Sequence, residues 1–215
     1  CCAKPREDVV IECRGVTRAD DIPVKKLPCR VEAMTLAAPD VMVLKLRLPA
    51  TEQFAFRAGQ YVDILLPGNK RRSFSMANPP ANANHIELHI RHVPDGFFTT
   101  RVFTQMKVRD ILRFEGPLGS FYLREDSDAP IVLLAGGTGF APIKALVEHA
   151  IGAGITRPMT LYWGSRDPAG LYMAALAAQW AATLPWFKFV PVVSDKSPED
   201  GWDGRTGLVH AAVLA

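Results

Sequence analysis

Apolar and polar residues alternate over short segments in the first two thirds of the chain. Turn residues such as Pro67-Gly68-Asn69 separate these segments, which predict strands at residues 28–36, 41–48, 61–66, 72–76, 85–91 and 111–115. One helix is predicted at residues 99–105, with Thr99 or Thr100 as its N-cap. Strands of this length and spacing are typical of an antiparallel β-barrel or sandwich.

The pattern changes after Ala129-Pro130. Residues 131–135 form a continuous apolar run, which is expected of a parallel strand covered on both faces. Helices at 142–150 and 171–183 and strands at 159–163 and 188–193 complete a β-α-β-α-β series. That series predicts a doubly wound α/β nucleotide domain. With a linker at residues 20–26, the chain divides into parts at 1–27, 28–125 and 126–215.

Composition and charge exclude several classes of partner. The 215 residues are 48% hydrophobic and 22% charged, as in an ordinary globular protein. A net charge of +3 is too small to indicate nucleic acid or membrane partners, and no apolar run approaches the roughly 20 residues that span a bilayer. The N-terminus lacks the apolar segment of a signal peptide, so we expect a cytoplasmic protein.

A glycine-rich segment, residues 136–142, lies between the apolar run and the next predicted helix. Glycines permit a tight turn and leave backbone N–H groups open to a phosphate, and the helix N-terminus adds positive potential. Pro142 is tolerated in the first helical turn. A plain connecting turn is the alternative, but the strand–loop–helix context favours nucleotide binding.

The barrel segment carries two further motifs. Alternation places Arg72 and Phe74 on one face of a strand and Ser73 and Ser75 on the other. A cation beside an aromatic ring suits a ligand with a phosphate and a flat ring. Residues 96–100, Gly-Phe-Phe-Thr-Thr, precede the predicted helix and are either an ordinary cap or a second anion site.

Together with Gly-Pro-Leu-Gly-Ser-Phe at 116–121, these motifs resemble the ferredoxin–NAD(P)H reductase superfamily over about residues 28–215. The resemblance implies an FAD-binding barrel in which Arg72 holds the flavin phosphate. It implies that Phe74 stacks on the isoalloxazine ring and Ser75 approaches flavin N5, so these two residues are the catalytic candidates. The further FAD contacts it implies are His89, Ile90, Arg91, Gly96, Phe97 and Thr99.

The same resemblance implies a site for a nicotinamide nucleotide in the second domain. Its pyrophosphate site corresponds to Gly137, Thr138, Gly139 and Pro142, and its ribose region to Gly164 and Arg166. Asp195 ends the third predicted strand of this domain. An aspartate there would repel a 2′-phosphate and accept hydrogen bonds from free ribose hydroxyls, which favours NADH over NADPH.

The two ends of the chain also match parts of that superfamily. Residues 1–12 resemble the last segment of a plant-type [2Fe–2S] ferredoxin, with Cys1 as its fourth cluster ligand. The other three ligands are absent, so we expect no metal site in this chain alone. The superfamily's final strand and helix are also absent, which implies a C-terminally incomplete α/β domain.

Two functions remain open at this point. The first is a reductase that passes hydride from NAD(P)H to FAD and single electrons to an iron–sulfur centre or partner, such as an oxygenase or dehydratase. Fused ferredoxin–reductases of the CDP-6-deoxy-glucoseen reductase and aromatic oxygenase types are the most similar. The second is a flavin- or nucleotide-binding sensor that keeps the fold without sustained turnover.

Overall fold

The computed structural model describes Glu7 and residues 22–82 and 84–214. Its first unit contains one helix, α1 (Phe97–Thr104), and six strands. The strands are β1 (Lys25–Ala38), β2 (Val41–Arg47), β3 (Tyr61–Leu66), β4 (Lys70–Ser75), β5 (His85–Arg91) and β6 (Ile111–Leu118). The predicted bounds of β3 and β5 are confirmed without change, and the other four strands were predicted within a few residues.

All pairings in this unit are antiparallel, in the order β4-β3-β6-β1-β2-β5. An isolated bridge between Met76 and Leu88 joins the end of β4 to β5, the strand at the opposite edge. Beside this bridge, the Ala77 N–H donates to the Glu87 carbonyl at 2.8 Å. The predicted antiparallel barrel is therefore confirmed, and its closure places β5 next to the residues that follow Ser75.

The alternating side chains of these strands fill the interior of the barrel. Val62 and Ile64 of β3 and the three apolar residues of β5 are fully buried. Phe54 and Phe114 meet edge to face, with ring centroids 5.1 Å apart. Each such side chain contributes about 1.5–3 kcal/mol through its removal from water, so the alternation itself specifies the sheet's inner face.

The second unit begins with β7 (Ile131–Gly136) and has parallel strands in the order β10-β9-β8-β7. Its remaining elements are α2 (Phe140–Gly152), β8 (Met159–Ser165), α3 (Ala174–Thr183), β9 (Phe187–Val193), β10 (Arg205–Thr206) and α4 (Val209–Leu214). The predicted α/β series is confirmed, whereas β10 was not predicted. No helix in the described part of the chain is long and apolar enough to cross a membrane.

Two local predictions are wrong. Lys25 and Lys26 belong to β1 rather than to a linker, because they pair with Gly116 and Glu115 of β6. The N-cap of α1 is Gly96, not a threonine. Thr99 lies inside the first turn, and its hydroxyl bonds back to Val93, donating to the carbonyl at 3.1 Å.

The prediction that the apolar run 131–135 is covered on both faces is also wrong. α2 packs on the face that carries Leu133 and Ala135, which are 4% and 1% exposed. On the opposite face Val132 and Leu134 are 61% and 48% exposed within the described residues. β7 is the edge strand of the described sheet, so a continuous apolar run there does not imply two covering layers.

The barrel core generates a stability prediction. Phe114→Ala should lower the free energy of unfolding by about 3–5 kcal/mol, because it opens a cavity beside Phe54. Ile111→Ala on the same strand is the matched control, since Ile111 is 62% exposed and should cost under about 1 kcal/mol. Urea unfolding of both variants measures the difference, and equal losses would contradict the described core.

Candidate functional site

The end of β4 and the start of α1 lie side by side, which brings two of the predicted motifs together. Phe74 packs against Phe98 with ring centroids 5.5 Å apart. The Lys70 ammonium group is 5.9 Å from the centroid of the Phe97 ring. Lys70 and Phe74 of β4 therefore share one surface of the barrel with Phe97 of α1, although more than twenty positions separate them. We call it the β4–α1 surface.

Arg72 and Arg71 differ in how their charges are compensated. Arg71 forms ion pairs with Asp63 and Glu115 on the outer face of the barrel. Within the described residues no carboxylate lies within ion-pair distance of Arg72, whose Nη1 donates to the Arg71 carbonyl at 2.7 Å. An exposed guanidinium without a counter-ion fits an anionic group such as the predicted flavin phosphate.

The first turn of α1 offers a second anion position on the β4–α1 surface. Gly96 begins the helix without a side-chain cap, and Phe97 beside it is 54% exposed. A Cβ at Gly96 would lie 2.4 Å from Thr99 Oγ1, so only glycine fits here. Gly96 and Phe97 line a cavity of about 570 Å³ together with Arg101. The residues present therefore fit an elongated anionic cofactor.

The alternation of side chains on β4 follows the predicted faces. Ser73 Oγ donates to Asp63 Oδ1 at 2.6 Å on the outer face. Ser75 is half-buried and pairs with Tyr61 of β3, whereas Phe74 packs toward the barrel core. Ser75 and Phe74 thus stand at the end of β4, next to the segment that bridges to β5.

The glycine loop of the second unit forms a separate concave site. Gly137 has φ +50°, a conformation that favours glycine, and a short 3-10 turn (Gly137–Gly139) leads into α2. Pro142 lies in the first turn of α2, where its missing N–H has no cost. A cavity of about 320 Å³ opens at this loop. Its lining includes Arg91, Gly137, Thr138, Gly164, Arg166 and Ser194.

The carboxyl ends of β8 and β9 complete this cavity. Gly164 must be small, because a Cβ there would lie 2.7 Å from Val209 Cβ of α4. Arg166 Nε and Asp195 Oδ2 are 3.2 Å apart, with side chains 84% and 62% exposed. The structure therefore brings together both residues predicted near the nucleotide ribose, as an exposed ion pair of opposite charges.

Arg91 extends from the barrel to this second site. A Cβ at Gly137 would lie 3.3 Å from Arg91 Cζ, so the guanidinium group rests against the glycine loop. Arg91 Nε is 3.3 Å from Asp40 Oδ2, but Nε and Nη2 are buried and have no hydrogen-bond partner of good geometry among the described residues. These unfilled donors fit a phosphate at the loop.

His89 and Ile90 do not present side chains to a cofactor. Ile90 is part of the barrel core and is fully buried. The His89 side chain has no exposed surface. Its Nδ1 is 2.8 Å from the Tyr172 hydroxyl and its Nε2 is 3.0 Å from Glu87 Oε1. The FAD contacts predicted for these two residues can therefore involve only their backbone.

A buried cluster of charges joins the two units. Lys144 of α2 is 8% exposed, and its Nζ donates to the Ala77 carbonyl at 3.3 Å. The same Nζ lies 3.2 Å from Glu87 Oε1 and 2.9 Å from Glu148 Oε1. The Lys144 ammonium group thus contacts β5, α2 and the segment just beyond Ser75.

The two carboxylates of this cluster respond differently to their surroundings. Burial favours the neutral form of Glu87, but the His89 hydrogen bond and the Lys144 charge outweigh it and lower its pKa to about 2. For Glu148 burial dominates over Lys144, so its pKa is raised. Glu87 therefore stays ionised to lower pH than Glu148 and anchors Lys144 from the barrel.

Sequence reasoning missed Glu87, Lys144 and Tyr172. Two features could have indicated Glu87 and Lys144, whereas Tyr172 had no signal in the sequence. Glu87, His89 and Arg91 alternate with apolar residues on β5 and so share its outer face. Lys144 interrupts the apolar stretch of α2, with Glu148 four residues later.

The described residues contain no group of three or more side chains that could bind a metal ion. Cys1, the predicted ferredoxin ligand, lies outside the described residues.

Comparisons with known proteins match both units. The model of the oxidoreductase FAD-binding domain matches residues 28–122, and that of the oxidoreductase NAD-binding domain matches residues 133–215. The NAD(P)H-flavin reductase of Aliivibrio fischeri is 36% identical over 193 residues, which cover 87% of this chain and 79% of that protein.

A longer relative is the CDP-6-deoxy-L-threo-D-glycero-4-hexulose-3-dehydrase reductase of Yersinia pseudotuberculosis, 41% identical over the whole chain. The chain spans 64% of that relative's length. Among solved structures, the Amycolatopsis cytochrome P450 reductase GcoB is 36% identical with a TM-score of 0.81. That match covers 90% of this chain and 58% of GcoB.

The charge cluster predicts a pH dependence of stability. Because the pKa of Glu87 falls from 4.5 to about 2 on folding, its contribution is present above pH 4.5 and is lost as pH falls toward 2. The free energy of unfolding should drop by about 3 kcal/mol in that window. In Glu87→Gln this part of the drop should vanish, as measured by urea unfolding at several pH values.

Glu87 contributes to the raised pKa of Glu148, so wild type and Glu87→Gln are both compared in a Glu148→Gln background, which isolates Glu87. Glu52→Gln, at an exposed position, is the control for loss of a carboxylate. Parallel curves for wild type and Glu87→Gln would refute the anchoring role of Glu87.

Proposed function

Because the chain belongs to the ferredoxin–NAD(P)H reductase superfamily, we propose that it moves hydride from NADH to FAD and sends single electrons on to an iron–sulfur partner. The observation that carries this proposal is the pairing of two anion sites, one on each unit, held together by Lys144. Each site combines a glycine turn with an arginine whose hydrogen-bond donors are filled only in part by protein groups.

On the barrel, Arg72 and the first turn of α1 would hold the two phosphates of FAD. Charge-assisted hydrogen bonds to phosphate are roughly twice as strong as neutral ones, so Arg72 dominates retention of the cofactor. Phe74 would support the flavin ring and Ser75 would direct its hydroxyl toward the reacting nitrogen. When bound, NADH would transfer hydride to FAD. The reduced FAD would then release two electrons one at a time and one proton to water.

On the second unit, the N–H groups of the glycine loop and the free donors of Arg91 would bind the nucleotide pyrophosphate. Arg91 reaches this loop from β5, so nucleotide binding would contact both units at once. The fixed positions of the loop and of Ser75 would orient the nicotinamide toward the flavin without any acid or base from the protein.

The preference for NADH rests on Asp195. Its carboxylate would repel a 2′-phosphate and accept hydrogen bonds from the ribose hydroxyls. Arg166 offsets part of that repulsion, because its guanidinium lies 3.2 Å away. The ion pair therefore favours NADH, while Arg166 still provides a cation that would bind the 2′-phosphate of NADPH weakly.

The start of β1, where the chain enters the barrel, indicates where an electron acceptor would approach the flavin. Lys25 of β1 pairs with Gly116 of β6, and Tyr61 pairs with both Leu118 of β6 and Ser75. The start of β1 therefore lies at the end of the barrel that carries Ser75, where electrons would leave the flavin. As in the relatives named for their partner enzymes, the final recipient would be a dehydratase or an oxygenase, in the cytoplasm.

The proposal is tested by loading the protein with FAD under anaerobic conditions and adding NADH. The flavin absorbance should disappear with one NADH consumed per FAD. Failure to retain FAD would refute the flavin assignment. Retained FAD that NADH cannot reduce would instead support a flavin- or nucleotide-binding sensor.

Arg72→Ala should weaken FAD binding by about 1.5–3 kcal/mol, roughly 10- to 100-fold in Kd, through loss of a charge-assisted contact. Fluorescence titration of the apoprotein with FAD measures the change. Arg113→Ala removes an equally exposed arginine from β6 and should leave the Kd unaltered. Equal effects of the two substitutions would show that Arg72 has no special role.

Asp195→Arg should raise the NADPH to NADH ratio of kcat/KM by at least about 10-fold, because repulsion is replaced by attraction for the 2′-phosphate. Asp203→Arg makes the same charge change at another exposed position and should not alter the ratio. If both variants shift the ratio alike, general charge rather than ribose recognition is responsible.

A further inference from the structure

β5 presents polar side chains where an isolated barrel would meet solvent. Glu87, His89 and Arg91 alternate with Ile86, Leu88 and Ile90, which are all fully buried in the barrel core. The outward side chain of His89 nevertheless has no exposed surface. The second unit must therefore cover this position of β5.

Tyr172 is the residue that covers His89. Its hydroxyl is 2.8 Å from His89 Nδ1, and the two rings meet edge to face with centroids 5.4 Å apart. A carboxylate only accepts, so Nε2 carries the ring proton that faces Glu87, which leaves Nδ1 to accept from the tyrosine hydroxyl. Burial raises the pKa of Tyr172 well above its usual range, which keeps the hydroxyl protonated as the donor.

Tyr172 in turn contacts the residues beneath the glycine loop. Its ring is perpendicular to that of Trp163, with centroids 5.3 Å apart, and Trp163 stacks on Phe140 at 3.9 Å. Trp163 Nε1 donates to the Gly137 carbonyl at 2.9 Å. A continuous series of contacts thus runs from His89 through Tyr172 and Trp163 to Gly137.

On the barrel side, the two residues that precede His89 on β5 are attached to the segment that follows the predicted catalytic end of β4. The Met76–Leu88 bridge and the Ala77–Glu87 hydrogen bond attach β5 to the two residues that follow Ser75. The bond between His89 and Tyr172 therefore connects a strand anchored beside Ser75 to a residue that supports Gly137.

An apolar pair of similar size could fill this interface without the cost of burying an imidazole and a phenol. What the hydrogen bond adds is direction, because it is satisfied in only one relative arrangement of the two rings. Hydride transfer depends on such an arrangement, since a displacement of about 1 Å between reacting groups can cost about 100-fold in rate.

We propose, resting on the proposed function, that His89 and Tyr172 are positioning residues for hydride transfer. Their hydrogen bond fixes the Gly137 loop relative to Ser75, and so sets where the nicotinamide lies against the flavin. Neither residue contacts either cofactor through its side chain.

The test replaces the tyrosine hydroxyl alone. In Tyr172→Phe, hydrogen exchange of the loop amides at 137–141 should accelerate severalfold, while FAD content is retained and the protein stays folded in native buffer. Single-turnover reduction by NADH should slow roughly 10-fold with an unchanged Kd for NADH. Tyr162→Phe is the matched control, because Tyr162 lies on the opposite face of the second sheet beside exposed Leu134 and should retain both wild-type values.

A double variant separates positioning from general destabilisation. If His89 and Tyr172 act through one bond, His89→Asn combined with Tyr172→Phe should reduce loop protection and transfer rate no further than His89→Asn alone. Wild-type loop exchange and transfer rate in Tyr172→Phe would overturn the proposal. Multiplied losses in the double variant would overturn it as well.

The reduction measurement also distinguishes this proposal from the proposed function. If NADH fails to reduce the wild-type protein, the hydride-transfer function is wrong and the positioning role falls with it. If NADH reduces wild type and Tyr172→Phe at one rate, the proposed function stands and only the positioning role is rejected.

Discussion

The Lys144 ammonium group is buried between the two units, and burial of a charge is tolerated only where other groups compensate it. Glu87 supplies that compensation from the barrel and Glu148 from the helix that carries Lys144, while the Ala77 carbonyl accepts a further hydrogen bond. Sliding one unit against the other would leave at least one of these charges without its partner. The relative placement of barrel and α/β unit is therefore constrained by this cluster, together with the His89–Tyr172 contact and the packing of Ala58 in the apolar core of the α/β unit.

The arrangement of both ligand sites follows from that constraint. α2 begins at the glycine loop, so fixing Lys144 in α2 fixes the loop as well. β5 ends at Arg91, whose guanidinium then reaches Gly137. The β4–α1 surface and the nucleotide cavity are thus held by one strand and one helix, and neither site requires a moving part to face the other.

Much of the fold could be predicted from the sequence because the local patterns are unambiguous. Strict alternation defined β3 and β5 to the residue, and the glycine loop between an apolar run and a helix identified the nucleotide site. The motifs of β4 and of the start of α1 were likewise visible.

Local patterns do not contain the contacts between distant segments, such as that of His89 with Tyr172, which are 83 positions apart. For the same reason the contact of Arg91 with the neighbouring glycine loop was not predicted. The exposed face of β7 was missed because apolar residues alone do not show how many layers cover a strand.

The central claim is that this scaffold brings a nicotinamide to a flavin held on the barrel. The most direct measurement is anaerobic stopped-flow reduction of the FAD-loaded protein with NADH and with NADH deuterated at the transferred position. We expect reduction to be slowed by deuterium and the NAD+ product to lack the label, because the deuterium passes to the flavin. FAD that stays oxidised while NADH binds would contradict the central claim.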